Sequence, residues 1–146
     1  MLLHGRTLRL QDTQLWKMRK SKRRLLKRQF SASLLMRRQS SAPAIAVQSI
    51  VKGKSGFEPD GSYSTPKKDG WEMFDAGASA EAFCLAAHTY GVGTVILGYA
   101  DYDMIKELLG LPEDQEVVAI IAMGYHETNN PAPARLSASE LVNFVE

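Results

Sequence analysis

Trp71 to Met123 reads WEMFDAGASAEAFCLAAHTYGVGTVILGYADYDMIKELLGLPEDQEVVAIIAM, and the order of periods in this stretch decides the fold. From Trp71 to Tyr90, Ala76, Ala80, Phe83, Ala87 and Tyr90 recur at three- and four-residue spacing, the period of one helix face. Gly77, Ala78, Ser79, Ala82 and Ala86 keep the other faces small, so neighbouring backbones can approach closely; such a helix belongs in a core or at a subunit interface. Gly91 or Gly93 supplies the stop. Thr94 to Gly98 then reads as a strand. Asp101 to Leu109 reads as a second helix, with Asp101 as N-cap, Gly110 as stop, and Met104, Ile105, Leu108 and Leu109 as its apolar face. Glu116 to Met123 is a nearly continuous apolar run, the mark of a central strand buried on both sides.

Working outward, Ala42 to Val51 is short, apolar and partly β-branched, as a buried strand would be. A loop thick with Gly, Pro, Ser and Asp joins it to the long helix. In that loop Phe57 and Tyr63 either cover a ligand or pin the loop to the surface. Downstream, YHETNNPAPAR is irregular. SASELVNFVE opens on a capping box of Ser137 and Glu140, with Leu136 and Leu141 at the positions of a hydrophobic staple.

The net charge of +2 hides an asymmetry. Residues 1–41 carry 12 of the 18 Lys and Arg and one acid, Asp12, for a net of +11. Residues 42–146 carry 15 acids and 6 bases, a net of −9. The split places a boundary near Ala42, between a basic N-terminal segment and a domain over 42–146. Three readings of the basic segment stand: an organelle-targeting leader, a nucleic-acid contact, or a solvated or partly disordered basic face. The second is the weakest, since the run has no reading motif and few aromatic residues to stack on bases.

With 146 residues the chain has room for one core. No apolar run approaches the roughly 20 residues that span a bilayer. The single cysteine, Cys84, excludes an intrachain disulfide and fits a reducing compartment, so the expected location is the cytoplasm. Cys84 and His88 lie four apart on one helix, but two ligands without a third do not make a metal site. Gly91-Val-Gly93-Thr94 follows a helix and opens a strand, the reverse of a dinucleotide phosphate loop. No side chain announces acid–base or nucleophilic catalysis. If the protein is an enzyme, a cofactor supplies the chemistry.

Motif by motif, residues 42–146 resemble the C-terminal half of the nitroreductase family. The matching elements are Asp75–Gly77, Leu85–His88, Gly91–Thr94, Leu109–Pro112, Gly124–Tyr125 and the Pro-rich tail Pro131–Arg135, with YSTPKKDGW similar to a subset of members. The resemblance implies an α+β, three-layer fold with a mixed or antiparallel central sheet flanked by helices, here incomplete at the N-terminus. It implies FMN bound at the interface of a homodimer, with hydride passing from NAD(P)H through FMN to a nitro-, quinone- or similar acceptor. It places Ile96, Leu97, Gly98 and Tyr99 against the flavin ring, and Arg135 on the FMN phosphate, where a forked guanidinium suits an anion. Asp12 to Met18 is similar to the family's Asn-x-Gln-Pro-Trp stretch, which adds Asp12 and Gln14 to the cofactor set. No residue is assigned to catalysis or to a metal. The alternative function is a flavin-free remnant or dimerising module of the same fold.

Overall fold

The computed structural model describes residues 42–125 and 131–145, together with the backbone of Thr13–Gln14. Its elements are β1 (Thr13–Gln14), β2 (Ala44–Val51), α1 (Gly70–Thr89), β3 (Gly93–Leu97), α2 (Tyr102–Leu109), β4 (Gln115–Gly124) and the short α3 (Ala138–Leu141). The strands form one sheet in the order β1-β2-β4-β3, and every neighbouring pair is antiparallel. β2 and β4 occupy the centre, which is why their sequences are apolar on both faces.

The side-chain alternation of the central strands builds two cores, one on each side of the sheet. Ile45 and Val47 of β2 join Val117, Ile120 and Ala122 of β4 and Leu97 of β3 on one side, where α2 closes the cluster with Ile105 and Leu109. Ala46 and Ile121 point the other way and meet Ala80 of α1, with Phe83, Cys84 and Met123 packed around them. The result is three layers: α1, sheet, α2. One irregularity serves this division. The pairing of β2 with β4 runs from Gln48↔Ala119 to Ser49↔Val117 and skips Val118. That β-bulge brings Val117 onto the same side as Ile120, three positions away, where unbroken alternation would separate them.

Both long helices end as their glycines dictate. Gly91 and Gly110 have φ of 70° and 67°, a left-handed turn that glycine adopts without a Cβ clash. Val92 N–H returns to Ala87 O and Gly91 N–H to His88 O; Leu111 and Gly110 repeat the pattern on Lys106 and Glu107. These paired bonds satisfy carbonyls that the helix itself leaves open. The stop of α1 is thus Gly91, and Gly93 opens β3. Tyr90, placed on the inner face by spacing alone, is 80% exposed because it stands at the C-cap, beyond the last helical turn. Asp101 caps α2 as expected, its carboxylate accepting from Met104 N–H at 3.0 Å.

The loop between β2 and α1 is tied down at several points. Gly53 N–H donates to Glu72 at 2.6 Å and Ser55 Oγ to Asp75 at 2.5 Å, while Trp71 Nε1 donates to Thr65 Oγ1 at 2.6 Å. Gly56 is obligatory here: a Cβ on it would stand 2.3 Å from the Lys68 carbonyl. Phe57 and Tyr63 pair with each other, ring centroids 5.0 Å apart, so these aromatics pin the loop on itself. At the far end, Ser137 and Glu140 form the expected capping box of α3, whereas Leu136 and Leu141 both remain exposed.

Candidate functional site

β3 lies at the sheet's edge, paired with β4 on one side and with no strand on the other among the described residues. An edge strand carries unpaired backbone donors and acceptors along its free side. The segment singled out in the sequence, Ile96 to Tyr99, runs off the end of this strand. Its four residues divide cleanly. Leu97 is 7% exposed and committed to the α2-side core, so it offers only backbone. Ile96 and Tyr99 are 45% and 76% exposed, presenting an aliphatic and an aromatic surface. Between them, nothing among the described residues lies within 4 Å of where a Cβ on Gly98 would stand. The close approach that a glycine permits is therefore open to an outside molecule rather than used by the chain itself.

The turn from Gly98 to α2 has one internal tie that sequence reading missed. The Tyr102 hydroxyl donates back to the Gly98 carbonyl. A tyrosine four residues after a glycine is no motif. Only the geometry of the strand-to-helix turn reveals the contact.

Arg135 sits in an exposed tail, residues 131–145, all of whose described side chains face solvent. Among the described residues its guanidinium reaches only the carbonyls of Pro133 and Ala134, at 3.5 and 3.4 Å. Among the described residues no carboxylate pairs with it, so its charge is available to an anion. No hydrogen bond or ion pair joins it to Ile96–Tyr99. Gln14 lies in β1, at the opposite edge of the sheet from β3, three strand spacings or about 14 Å away. Asp12 lies outside the described residues. The structure thus leaves Ile96, Gly98 and Tyr99 exposed along one stretch of chain, a ledge at the end of β3, sets Gln14 three strands away, and joins Arg135 to this stretch by no hydrogen bond or ion pair.

Other candidate groups resolve simply. Cys84 is free and half-buried against the Ala46–Ile121 cluster, and His88 is exposed; no three metal-ligating side chains come together among the described residues. A cavity of about 500 Å³ opens on the α2 side, where Lys52, Asp101, Tyr102, Lys106, Gln115 and Glu116 contribute to its lining. It contains charges of both signs and none of Ile96–Tyr99, so it is distinct from the ledge. No described helix is long and apolar enough to cross a membrane.

An antiparallel sheet between two helical layers, with an open glycine at the end of an edge strand, defines a fold that comparison identifies. Residues 4–125 match the nitroreductase family, and the chain belongs to it. The match begins within the basic segment, and β1 pairs part of that segment, Thr13–Gln14, with Gln48 and Val47. A nitroreductase family protein from Streptococcus pneumoniae superposes with a TM-score of 0.71 at 18% identity, covering 92% of this chain and 79% of its own. The NADPH:FMN oxidoreductase of Vibrio harveyi, solved with NAD+, gives 0.65 at 24% identity over 92% of this chain and 59% of its own. Nitroreductase A of Vibrio parahaemolyticus gives 0.67 at 24% identity over 92% and 57%. The chain therefore spans less than two thirds of either Vibrio protein. At these identities the likeness is one of fold. No curated protein matches the chain.

Proposed function

We propose that the protein is an FMN-dependent oxidoreductase of nitroreductase type, a cytoplasmic homodimer that moves hydride from NADH or NADPH to a nitro-, quinone- or similar small acceptor. The observation that carries this reading is the open ledge of a family member: Gly98, unobstructed among the described residues at the end of the edge strand β3, flanked by exposed Ile96 and Tyr99. A flat ring with apolar faces and a polar rim fits such a surface, since the side chains offer apolar contact and the backbone offers hydrogen bonds. FMN, when bound, supplies the electron-transfer chemistry that no side chain here provides. The chain's own residues bind and orient: backbone of Leu97 to Tyr99 at the ring's polar edge, Ile96 and Tyr99 against its apolar surface, and the unpaired Arg135 on the phosphate. Gln14, at the other edge of the described sheet, and Asp12, outside the described residues, complete the proposed set.

The homodimer rests on uncovered apolar surface. Phe74 and Leu85 on α1 are 64% and 58% exposed, and the tail adds Leu136, Leu141, Phe144 and Val145. Light scattering at micromolar concentration should give twice the 16.2 kDa chain mass. A clean monomer that binds no hydrophobic dye would remove the dimer. The same surface favours the second reading, a dimerising module without flavin, and cofactor binding separates the two.

Arg135→Ala tests the flavin reading. A charge-assisted hydrogen bond contributes about 1.5–3 kcal/mol, so this variant should weaken FMN binding by roughly 10- to 150-fold in a flavin-fluorescence titration. Arg135→Lys should recover only part, because a point charge lacks the forked geometry. Equal affinity in wild type and Arg135→Ala would take Arg135 out of the site. Failure of every form to bind FMN would leave the module reading.

A further inference from the structure

The four residues between β3 and α2 have few restraints of their own. Gly98, Tyr99 and Asp101 are exposed, and the Asp101 carboxylate is already engaged by the Met104 N–H. Glycine at the first position leaves the backbone free to rotate on leaving the strand. Ala100 alone touches the core, at its margin. Against this background the Tyr102 hydroxyl closes the turn by donating to the Gly98 carbonyl. Its ring packs on the cluster that holds Leu97, Ile105 and Leu109, so the hydroxyl is presented from a fixed base.

The accepting carbonyl has a second consequence. Gly98 C=O and Tyr99 N–H belong to one peptide unit, and a donor on the oxygen of an amide makes its N–H a stronger donor through polarisation. We propose that Tyr102 is a positioning residue: its hydroxyl fixes the Gly98–Tyr99 peptide and strengthens the Tyr99 N–H as a donor to the flavin ring. This rests on the reading of the ledge as the flavin surface. Tyr102 touches no flavin itself and acts through the peptide it holds. Donated to a ring carbonyl oxygen, which accepts in both redox states and gains electron density on reduction, a strengthened N–H favours the reduced ring over the oxidised one, so the contact raises the reduction potential of bound FMN.

Tyr102→Phe is the test, because it keeps the ring in its packing site and removes only the hydroxyl. In the flavin-free protein, amide exchange over residues 99–101 should quicken by roughly two- to tenfold, the range for loss of one hydrogen bond. FMN affinity should fall by a similar factor, roughly two- to tenfold, and the midpoint potential of bound FMN should drop below that of wild type. The potential is the deciding readout, since general loosening weakens binding without a set direction in potential. Faster exchange with an unmoved potential makes Tyr102 a brace for the turn and overturns the proposal. A variant matching wild type in exchange, affinity and potential overturns it as well. A wild-type protein that binds no FMN overturns the underlying reading of the ledge, an outcome recognisable because it appears before any substitution is made.

Discussion

α1 and α2 cover opposite faces of the same sheet by opposite means. α2 has eight residues, and Ile105 and Leu109 sink from it into the core at 0% and 6% exposure. α1 has twenty residues, yet only Ala76 and Ala80 are buried. An aliphatic side chain contributes about 1.5–3 kcal/mol on full burial, and an alanine methyl much less. α1 therefore gains close approach rather than buried area, and its seat depends on additional ties. Gln48, 2% exposed, donates from Nε2 to the Ala76 carbonyl at 2.7 Å, using a lone pair that the helix leaves spare. Glu72 and Asp75 hold the preceding loop. α2 thus commits its large apolar side chains to the sheet, whereas α1 meets the sheet through alanines and leaves Phe74 and Leu85 exposed.

Two measurements test this contrast, and a third probes the short α3. The largest effect should come from Ile105→Ala, which empties a fully buried site in the α2-side core and should cost about 2–5 kcal/mol in urea unfolding. A loss well below 1 kcal/mol would mean that α2 is not held by its aliphatic knobs. On the other side, Ala80→Leu asks whether closeness matters. Its methyl lies against Ala46 and Ile121, so added bulk should destabilise by about 1–3 kcal/mol through overpacking. Stabilisation instead would show slack between α1 and the sheet.

The smallest effect belongs to α3, whose start depends on charge rather than burial. The Ser137 hydroxyl, and then its backbone N–H, hold the Glu140 carboxyl below the ordinary glutamate range. A depressed pKa stabilises the folded turn at pH above the unfolded value, and this is lost as pH falls through the folded one. Acidification from about pH 6 to about pH 3 should unwind residues 137–141 first, seen as loss of helical amide shifts there. Persistence of those shifts below the titration of Glu140 would show that the capping box does not hold α3.

How much was legible in the sequence varies with the range of the interaction. The helix stop at Gly110, the Asp101 cap and the Ser137–Glu140 box were readable because each is completed within a few residues of chain, and the stop of α1 was narrowed to Gly91 or Gly93. The buried centre of the sheet was readable because β4 is apolar on both faces. Cofactor candidates came from family motifs, and the chain's membership over 4–125 supports the family behind them without testing any single residue. Pairing order was not readable. That β2 lies against β4, that β3 is left at an edge, and that Val118 bulges are outcomes of long-range register, which no local period encodes.

The sequence by itself determined β2, β3, β4, α1 and α2, the caps of α2 and α3 and the small-residue character of α1, but not β1, because backbone propensity and side-chain period act over one or two turns. Tertiary structure alone decided that Leu97 turns inward while Ile96 and Tyr99 face out. It also decided that Gly98 stands open and that Tyr102 reaches back to its carbonyl. The physical reason is the same in each case: exposure and contact depend on which strands and helices fill the space on either side, and that filling is settled only when distant segments pack.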